Sequence, residues 1–264
     1  MMRLRGPLAA VMFASAVAVT SANAQQRGSS GGRLELVAQS QHVTAGLGDW
    51  SGIASRMVLR PSDRDTWFAE ALYQRAFKDD GVFVGVGERR RVGDRWSTFF
   101  SLGGGTGEFV LPDMRADAQL ARTWGGSRRL ITTLGTTFVD AKRGYSDISG
   151  FGSLTVYASA LAVIELGERV TTSSPGSVRS ARAFGAMTVG REGKAYLVVR
   201  GSTGTEGYQL LGVNAAHRHF QSQEGSLSWR QWFGRRGGLL VQGDSYSNDL
   251  YSRSGVSVGV FTEW

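Results

Sequence analysis

From residue 33 onward the chain alternates apolar and polar positions with a period of two, broken at intervals by short turn-forming stretches. A β-strand sends successive side chains to opposite faces, so each such stretch predicts a strand with two unlike faces. Ile53, Ser55, Met57 and Leu59 share one face, opposite Arg56 and Arg60. Val82, Val84 and Val86 oppose Gly85, Gly87, Arg89 and Arg91. Leu227, Trp229, Gln231 and Phe233 oppose Ser226, Ser228, Arg230 and Trp232. The last ten residues, 255–264, repeat the pattern, with Val256, Val258, Val260, Thr262 and Trp264 on one face.

Laid end to end, these stretches predict strands over 33–44, 50–60, 65–77, 81–91, 96–106, 114–124 and 129–140. They continue over 145–157, 160–171, 178–191, 195–205, 220–233, 238–248 and 252–264. That is fourteen, and twelve is the alternative count, because 145–157, 160–171 and the connection around 206–219 carry the weakest alternation. Each strand is long enough to cross a bilayer at a tilt. The connections sort into two kinds. The stretches 61–64, 92–95, 125–128, 158–159, 192–194 and 234–237 are short, and most combine Gly with Arg or Lys. The intervening ones include the longer 45–49, 107–112, 172–176 and 206–219. Short turns at one end and longer loops at the other are the asymmetry of outer-membrane barrels. The predicted fold class is therefore all-β, a transmembrane antiparallel up-and-down β-barrel. The terminal stretch becomes its closing strand, with Val256, Val258, Val260 and Trp264 towards lipid as a barrel-assembly signal and Glu263 turned inward.

The N-terminus supports this destination. Arg3 and Arg5 form a basic head, an apolar run spans 8–19, and Ala22-Asn23-Ala24 offers small residues for cleavage. This is a secretory signal peptide by pattern, too short to span a membrane as a helix. Residues 1–24 are predicted to be removed, 25–32 to be a flexible lead-in, and 33–264 to be the barrel. The sequence has no cysteine, which excludes disulfides and thiolate metal sites. Loss of Arg3 and Arg5 lowers the formal charge from +8 to +6. Export removes nucleic acid as a partner for this basic surplus. Arginine can instead meet the phosphates of outer-membrane lipid and lipopolysaccharide, or line a lumen. Glycine, 37 of 264 residues, suits the bends and aromatic contacts of barrels. Trp50, Trp67, Tyr73, Trp96, Trp124, Tyr196, Trp229, Phe233 and Trp264 fall near strand ends, as interfacial girdles do.

With these features in place, the chain resembles the YaiO family of outer-membrane β-barrel proteins over residues 33–264. The resemblance rests on AGLGDW before the second strand, the arginine-bearing hairpins, SLSWRQWFGRRGG and the closing VSVGVFTEW. It implies outer-membrane location, insertion by the barrel-assembly machinery and no agreed activity. It also implies a link to a surface-polysaccharide export system. The chain departs from the usual terminal strand in carrying Thr262 where a second aromatic is common.

The candidate chemistry is sparse. Gly28, Ser30 and Gly32 match G-x-S-x-G but lack the strand and helix a nucleophile elbow requires. His217 and His219 share a face without a third ligand nearby except Glu224. Ser40 and His42 share a face, as in a Ser–His dyad, but spacing alone supplies neither an orienting acid nor an oxyanion donor. No cofactor motif is present, and the expectation is a protein that is not an enzyme. The informative set is the predicted inner face. Arg56, Glu70, Arg89, Arg91, Asp117, Arg182, Arg200 and Arg230 are the candidate lumen residues, joined by Gln74, Gln119, Glu165, Glu224 and Asp244. Such a set either braces the wall as an ion-pair network or lines a passage, and the arginine excess favours anionic solutes if a pore is open. The leading expectation is passage or export of a polar or anionic solute, with a saccharide in view. A closed structural barrel and a lipid-modifying barrel enzyme are the alternatives.

Overall fold

The computed structural model describes residues 31–126, 128–209 and 217–264. The predicted signal peptide and most of the lead-in lie outside the described residues. The strands are β1 (Gly31–Val43), β2 (Trp50–Arg60), β3 (Asp65–Ala76), β4 (Asp79–Val92) and β5 (Trp96–Gly105). Next come β6 (Met114–Trp124), β7 (Leu130–Ala141), β8 (Tyr145–Tyr157), β9 (Ala162–Ser174) and β10 (Val178–Arg191). The last are β11 (Ala195–Gln209), β12 (His217–Trp232), β13 (Gly237–Asn248) and β14 (Ser252–Glu263), and Lys142–Gly144 forms a 3-10 turn between β7 and β8. Every strand pairs antiparallel with its sequence neighbours, and β1 pairs with β14 from Arg33↔Glu263 to Val43↔Arg253. The result is a closed fourteen-stranded barrel with no free edge.

The alternation explains the wall. Outward-facing Val82, Val84, Val86, Leu134 and Leu166 are widely exposed, Val86 at 62 % and Leu134 at 66 %. Their neighbours in sequence turn inward, where Arg115, Asp117, Ser149, Ser153, Thr155, Ser257 and Arg230 are buried. An apolar outside around a polar inside reverses the order of a soluble protein. No helix among the described residues is long and apolar enough to cross a membrane, and the strands form the wall instead.

Two expectations about the connections are corrected. Of the stretch 206–219 expected as a loop, 206–209 and 217–219 belong to strands, because β11 runs to Gln209 and β12 starts at His217, and 210–216 lie outside the described residues. Their ladder extends from Ala195↔Gln231 to Gln209↔His217, since continued pairing satisfies backbone groups that a loop would leave to water. The stretch 172–176 shortens likewise: Thr172 and Ser173 pair with β8 and β10, and only 175–177 turn. The end opposite the chain termini keeps the broader connections 44–49 and 106–113, but also has the three-residue connections 142–144, 175–177 and 249–251 and the tight turn 77–78. There both Phe77 (φ 53°) and Lys78 (φ 66°) adopt the left-handed conformation of a primed hairpin.

Two aromatic residues leave the expected girdle. Trp50 is 1 % exposed and Tyr196 is also buried, both on the inner side, whereas Trp67, Tyr73, Trp96, Trp124, Trp229, Phe233 and Trp264 are exposed outside. The strand parity decides this: Trp50 has the parity of Arg56 and Tyr196 that of Arg200. Trp264 lies over Gly32, where a Cβ would come within 2.3 Å of the indole. The backbone N–H of Gly32 donates to the Trp264 carbonyl at 3.0 Å, and that of Trp264 donates back at 3.1 Å. The terminal aromatic therefore needs glycine opposite it at the seam.

Candidate functional site

The lumen divides into three levels. At the termini end Arg33 contacts Glu263 at 2.8 Å, Glu35 at 3.5 Å and Glu192. Arg230 contacts Glu35 at 2.6 Å, and the Trp232 indole N–H donates to Glu263 at 3.1 Å. Tyr196, Val198, Trp232 and Phe261 pack beside this network. Glu263 therefore points inward from β14.

Towards the opposite end a second network spans β10 to β14. Arg182 reaches Glu206 at 3.0 Å and Glu224 at 3.5 Å. The Tyr246 hydroxyl donates to Glu206 at 3.2 Å, and Arg253 lies 3.9 Å from both Glu224 and Asp244. On the other wall Asp117 accepts from Arg115 Nε at 3.0 Å, Ser101 at 2.8 Å and Thr137 at 2.8 Å. An apolar cap lies at this end. Val110 and Leu111 from 106–113 pack against Val43, Trp50, Ala76, Phe83, Tyr246 and Tyr251. The Phe77 ring meets Trp50 edge-on at 4.6 Å. Asp79 ties the loop down by accepting backbone N–H bonds from Glu108 (3.1 Å), Phe109 (2.9 Å) and Val110 (3.0 Å). Burial pushes the Tyr251 phenol up to about 12, so it stays neutral within the cap.

Between these levels lies a cavity of about 290 Å³ lined by Arg56, Glu70, Arg200, Arg230, Tyr196 and the glutamines Gln39, Gln41, Gln74 and Gln242, among others. A second, of about 50 Å³, is lined by Arg56, Glu70, Arg89, Phe99, Arg115 and Asp117. Arg56 and Glu70 face both cavities and are register partners on β2 and β3. Among the described residues no carboxylate lies within 4.0 Å of Arg56, Arg89 or Arg200. Arg56 stands over the Phe68 ring at 5.5 Å and Arg89 over Phe99 at 5.9 Å. The Nε atoms of Arg89 and Arg200 are buried without a hydrogen-bond partner. Glu165 acts on both electrostatically from β9, and Glu35 and Glu70 act on Arg56 in the same way.

The sequence-selected residues thus fall into distinct groups. Arg56, Glu70, Arg89 and Arg200 meet at the cavities. Asp117, Arg182 and Arg230 belong to the paired networks, although Arg230 and Asp117 also line a cavity. Arg91 is exposed at the termini end and reaches neither cavity. Arg33, Glu35, Arg115, Glu206, Tyr246 and Arg253 were missed, although each has inward parity on its strand. Val256, Val258 and Val260 are exposed on the outer face of β14, and Trp264, just past its end, is exposed on the same side. His42 Nδ1 lies 2.8 Å from Asp49 Oδ1 on the outer wall, so an acid does face the imidazole. No hydrogen bond joins His42 to Ser40 among the described residues, which leaves a nucleophile unconnected. His219 is exposed on β12, and the described residues hold no cluster of three metal-ligating side chains.

A closed barrel with an apolar outer band, a polar interior and strands of bilayer-crossing length is an integral protein of the outer membrane. The family model of the YaiO membrane beta barrel domain matches residues 32–209, well over half of the chain. The chain belongs to that family, and β12 to β14 complete the barrel beyond the matched segment. No curated protein matches the sequence. Among solved structures, the CymD monoaromatic hydrocarbon channel is 8 % identical with a TM-score of 0.58, covering 90 % of this chain and 89 % of that one. An outer membrane channel from Pseudomonas putida F1 is 9 % identical with a TM-score of 0.55, covering 93 % and 98 %. Omp33 of Acinetobacter baumannii is 9 % identical with a TM-score of 0.52, covering 87 % and 97 %. At these identities the similarity is one of fold.

Proposed function

We propose that the barrel passes a polar, anionic solute of saccharide type across the outer membrane and is not an enzyme. The observation that carries this reading is the set Arg56, Arg89 and Arg200 at the cavities, which lack the close carboxylates that hold Arg33, Arg182 and Arg230. Guanidinium groups with no carboxylate in direct contact, in a narrow, low-dielectric passage, attract anions. The four glutamines around the larger cavity add neutral donors and acceptors suited to hydroxyl-rich solutes. The cavity, about 290 Å³, sits near the lower end of small-ligand sites, so it fits one small unit at a time. In the same reading β14, with Val256, Val258, Val260 and Trp264, is the segment that the barrel-assembly machinery reads. The lumen then serves a surface-polysaccharide export system.

The apolar cap favours a second reading, a structural barrel with a closed lumen. Planar-bilayer conductance separates the two. Wild type is compared with a variant in which 107–111 are replaced by a short Gly-Ser turn, and with that variant carrying Arg56→Gln, Arg89→Gln and Arg200→Gln. Passage predicts discrete, anion-selective steps once the cap is opened, and loss of that selectivity in the triple substitution. Silence of the opened variant, at the level of a detergent control, would overturn the pore.

A further inference from the structure

A cation on the lipid-facing wall is costly at the bilayer centre and is tolerated near the interface, where it meets headgroup charge. Arg122 of β6 is such a cation. It has the outward parity of Leu120 and Trp124 and pairs across the wall with Trp96 of β5. Its guanidinium lies 3.9 Å from the centre of the Trp124 ring and 5.1 Å from that of Trp96. Both indoles are widely exposed, at 39 % and 40 %. The Trp124 ring is fixed in place, because its N–H donates to the Thr132 hydroxyl at 2.9 Å, and Thr132 is the register partner of Arg122 on β7. The Arg122 Nε has no hydrogen-bond partner, and among the described residues no carboxylate lies within 4.0 Å of this side chain. Arg90, also outward-facing at this end, does have one: Asp65 at 3.6 Å.

The depth of the cluster selects the missing anion. Arg122 stands two residues before the end of β6 and Trp96 opens β5. At the tilt of a membrane strand, two residues amount to roughly 5 Å of height, which is headgroup level rather than the hydrocarbon centre. The anions at that level are lipid phosphates. The cluster lies at the termini end, where the connections 61–64, 93–95, 125–129, 158–161, 192–194 and 233–236 are all short. The longest described connections, 44–49 and 106–113, lie at the opposite end, and longer loops mark the outward rim, so the termini end is the periplasmic one. The leaflet there is phospholipid, and lipopolysaccharide belongs to the other.

We propose that Trp96, Arg122 and Trp124 form a binding site for the phosphate of a glycerophospholipid in the periplasmic leaflet. The guanidinium, held between the indoles, presents its terminal N–H groups to the phosphate while the ring edges meet the upper acyl chain. The site is independent of any passage through the lumen.

The test is native mass spectrometry of the folded protein in mild detergent, titrated with phosphatidylglycerol and, separately, with lipid A. Arg122→Gln is expected to weaken phosphatidylglycerol binding about tenfold, as loss of a charge-assisted contact implies. Arg122→Lys keeps the charge but not the planar stack and falls between. Trp96→Leu weakens binding with Arg122 intact, and provides a readout should Arg122→Gln fail to show the unboiled gel mobility of a folded barrel. Arg179→Gln, on the outer face at the opposite end, leaves binding unchanged. Equal phosphatidylglycerol affinity in wild type, Arg122→Gln and Trp96→Leu would overturn the proposal. So would an Arg122-dependent preference for lipid A.

Discussion

Arg230 is 3 % exposed and lies 2.6 Å from Glu35, which is itself buried. Removing one member of a buried pair leaves the other charge without compensation. Arg230→Met is therefore expected to destabilise the barrel by about 3–5 kcal/mol, read as a lower urea midpoint in unfolding followed by tryptophan fluorescence. Adding Glu35→Leu to the same chain should recover most of that loss, because Arg33 keeps Glu263 and Glu192. A double variant as unstable as the single one would show that the pair is not the unit that matters. The contrast with Arg56, Arg89 and Arg200 lies at this same scale. All are inward arginines of similar parity, and the distance to the nearest carboxylate distinguishes a braced guanidinium from one without direct carboxylate contact.

The connection 106–113 shows how an element acquires a role that its residues alone do not announce. Val110 and Leu111 are apolar and the stretch follows a run of glycines, so in sequence it reads as an ordinary loop. In the barrel it bends inward, because Asp79 collects three of its backbone N–H groups while Trp50, Phe83 and Tyr251 offer an apolar seat. Phe77 accepts a left-handed backbone to bring its ring into the same seat. Asp79→Ala should release the loop by removing hydrogen bonds to a charged acceptor, worth about 1.5–3 kcal/mol each where fully formed. The expected readout is faster proteolytic nicking within 106–113, with strand content by circular dichroism unchanged. Nicking at the wild-type rate would mean that the apolar seat holds the loop without the carboxylate.

For the molecule as a whole, closure is the central event. The ladder between β1 and β14 joins residues more than two hundred positions apart and removes the last open edge. Until it forms, β1 and β14 present unpaired backbone groups, which are intolerable in lipid. A chain lacking 252–264 is expected not to give the faster-migrating unboiled band of a closed barrel, and to remain as aggregate. Persistence of that band would show that the wall can close between β13 and β1. The seam also explains why Gly32 and Trp264 are matched: each donates to the other's carbonyl, and the indole lies where a side chain at 32 would be.

The wall was legible in the chain because a period of two is local: each residue's face follows from its parity alone. That is why Arg56, Glu70, Arg89, Asp117 and Arg200 could be placed inward from sequence, and Val256, Val258 and Val260 outward. The same parity places Trp50 and Tyr196 inside, although both sit near strand ends, where a girdle residue would stand. Boundaries at 172–176 and 206–219 were less legible, since pairing with a neighbouring strand, not local propensity, decides where a ladder stops. What only the tertiary structure decided is which inward charges meet. Glu35 and Arg230 lie 195 positions apart, and whether an arginine is paired, capped by an aromatic ring or open to a cavity depends on strands that the chain brings together last. The sequence by itself determined a barrel, its two faces and its destination. Closure determined the distribution of free charge inside it, because distance across a lumen is set by the ring of strands and not by order along the chain.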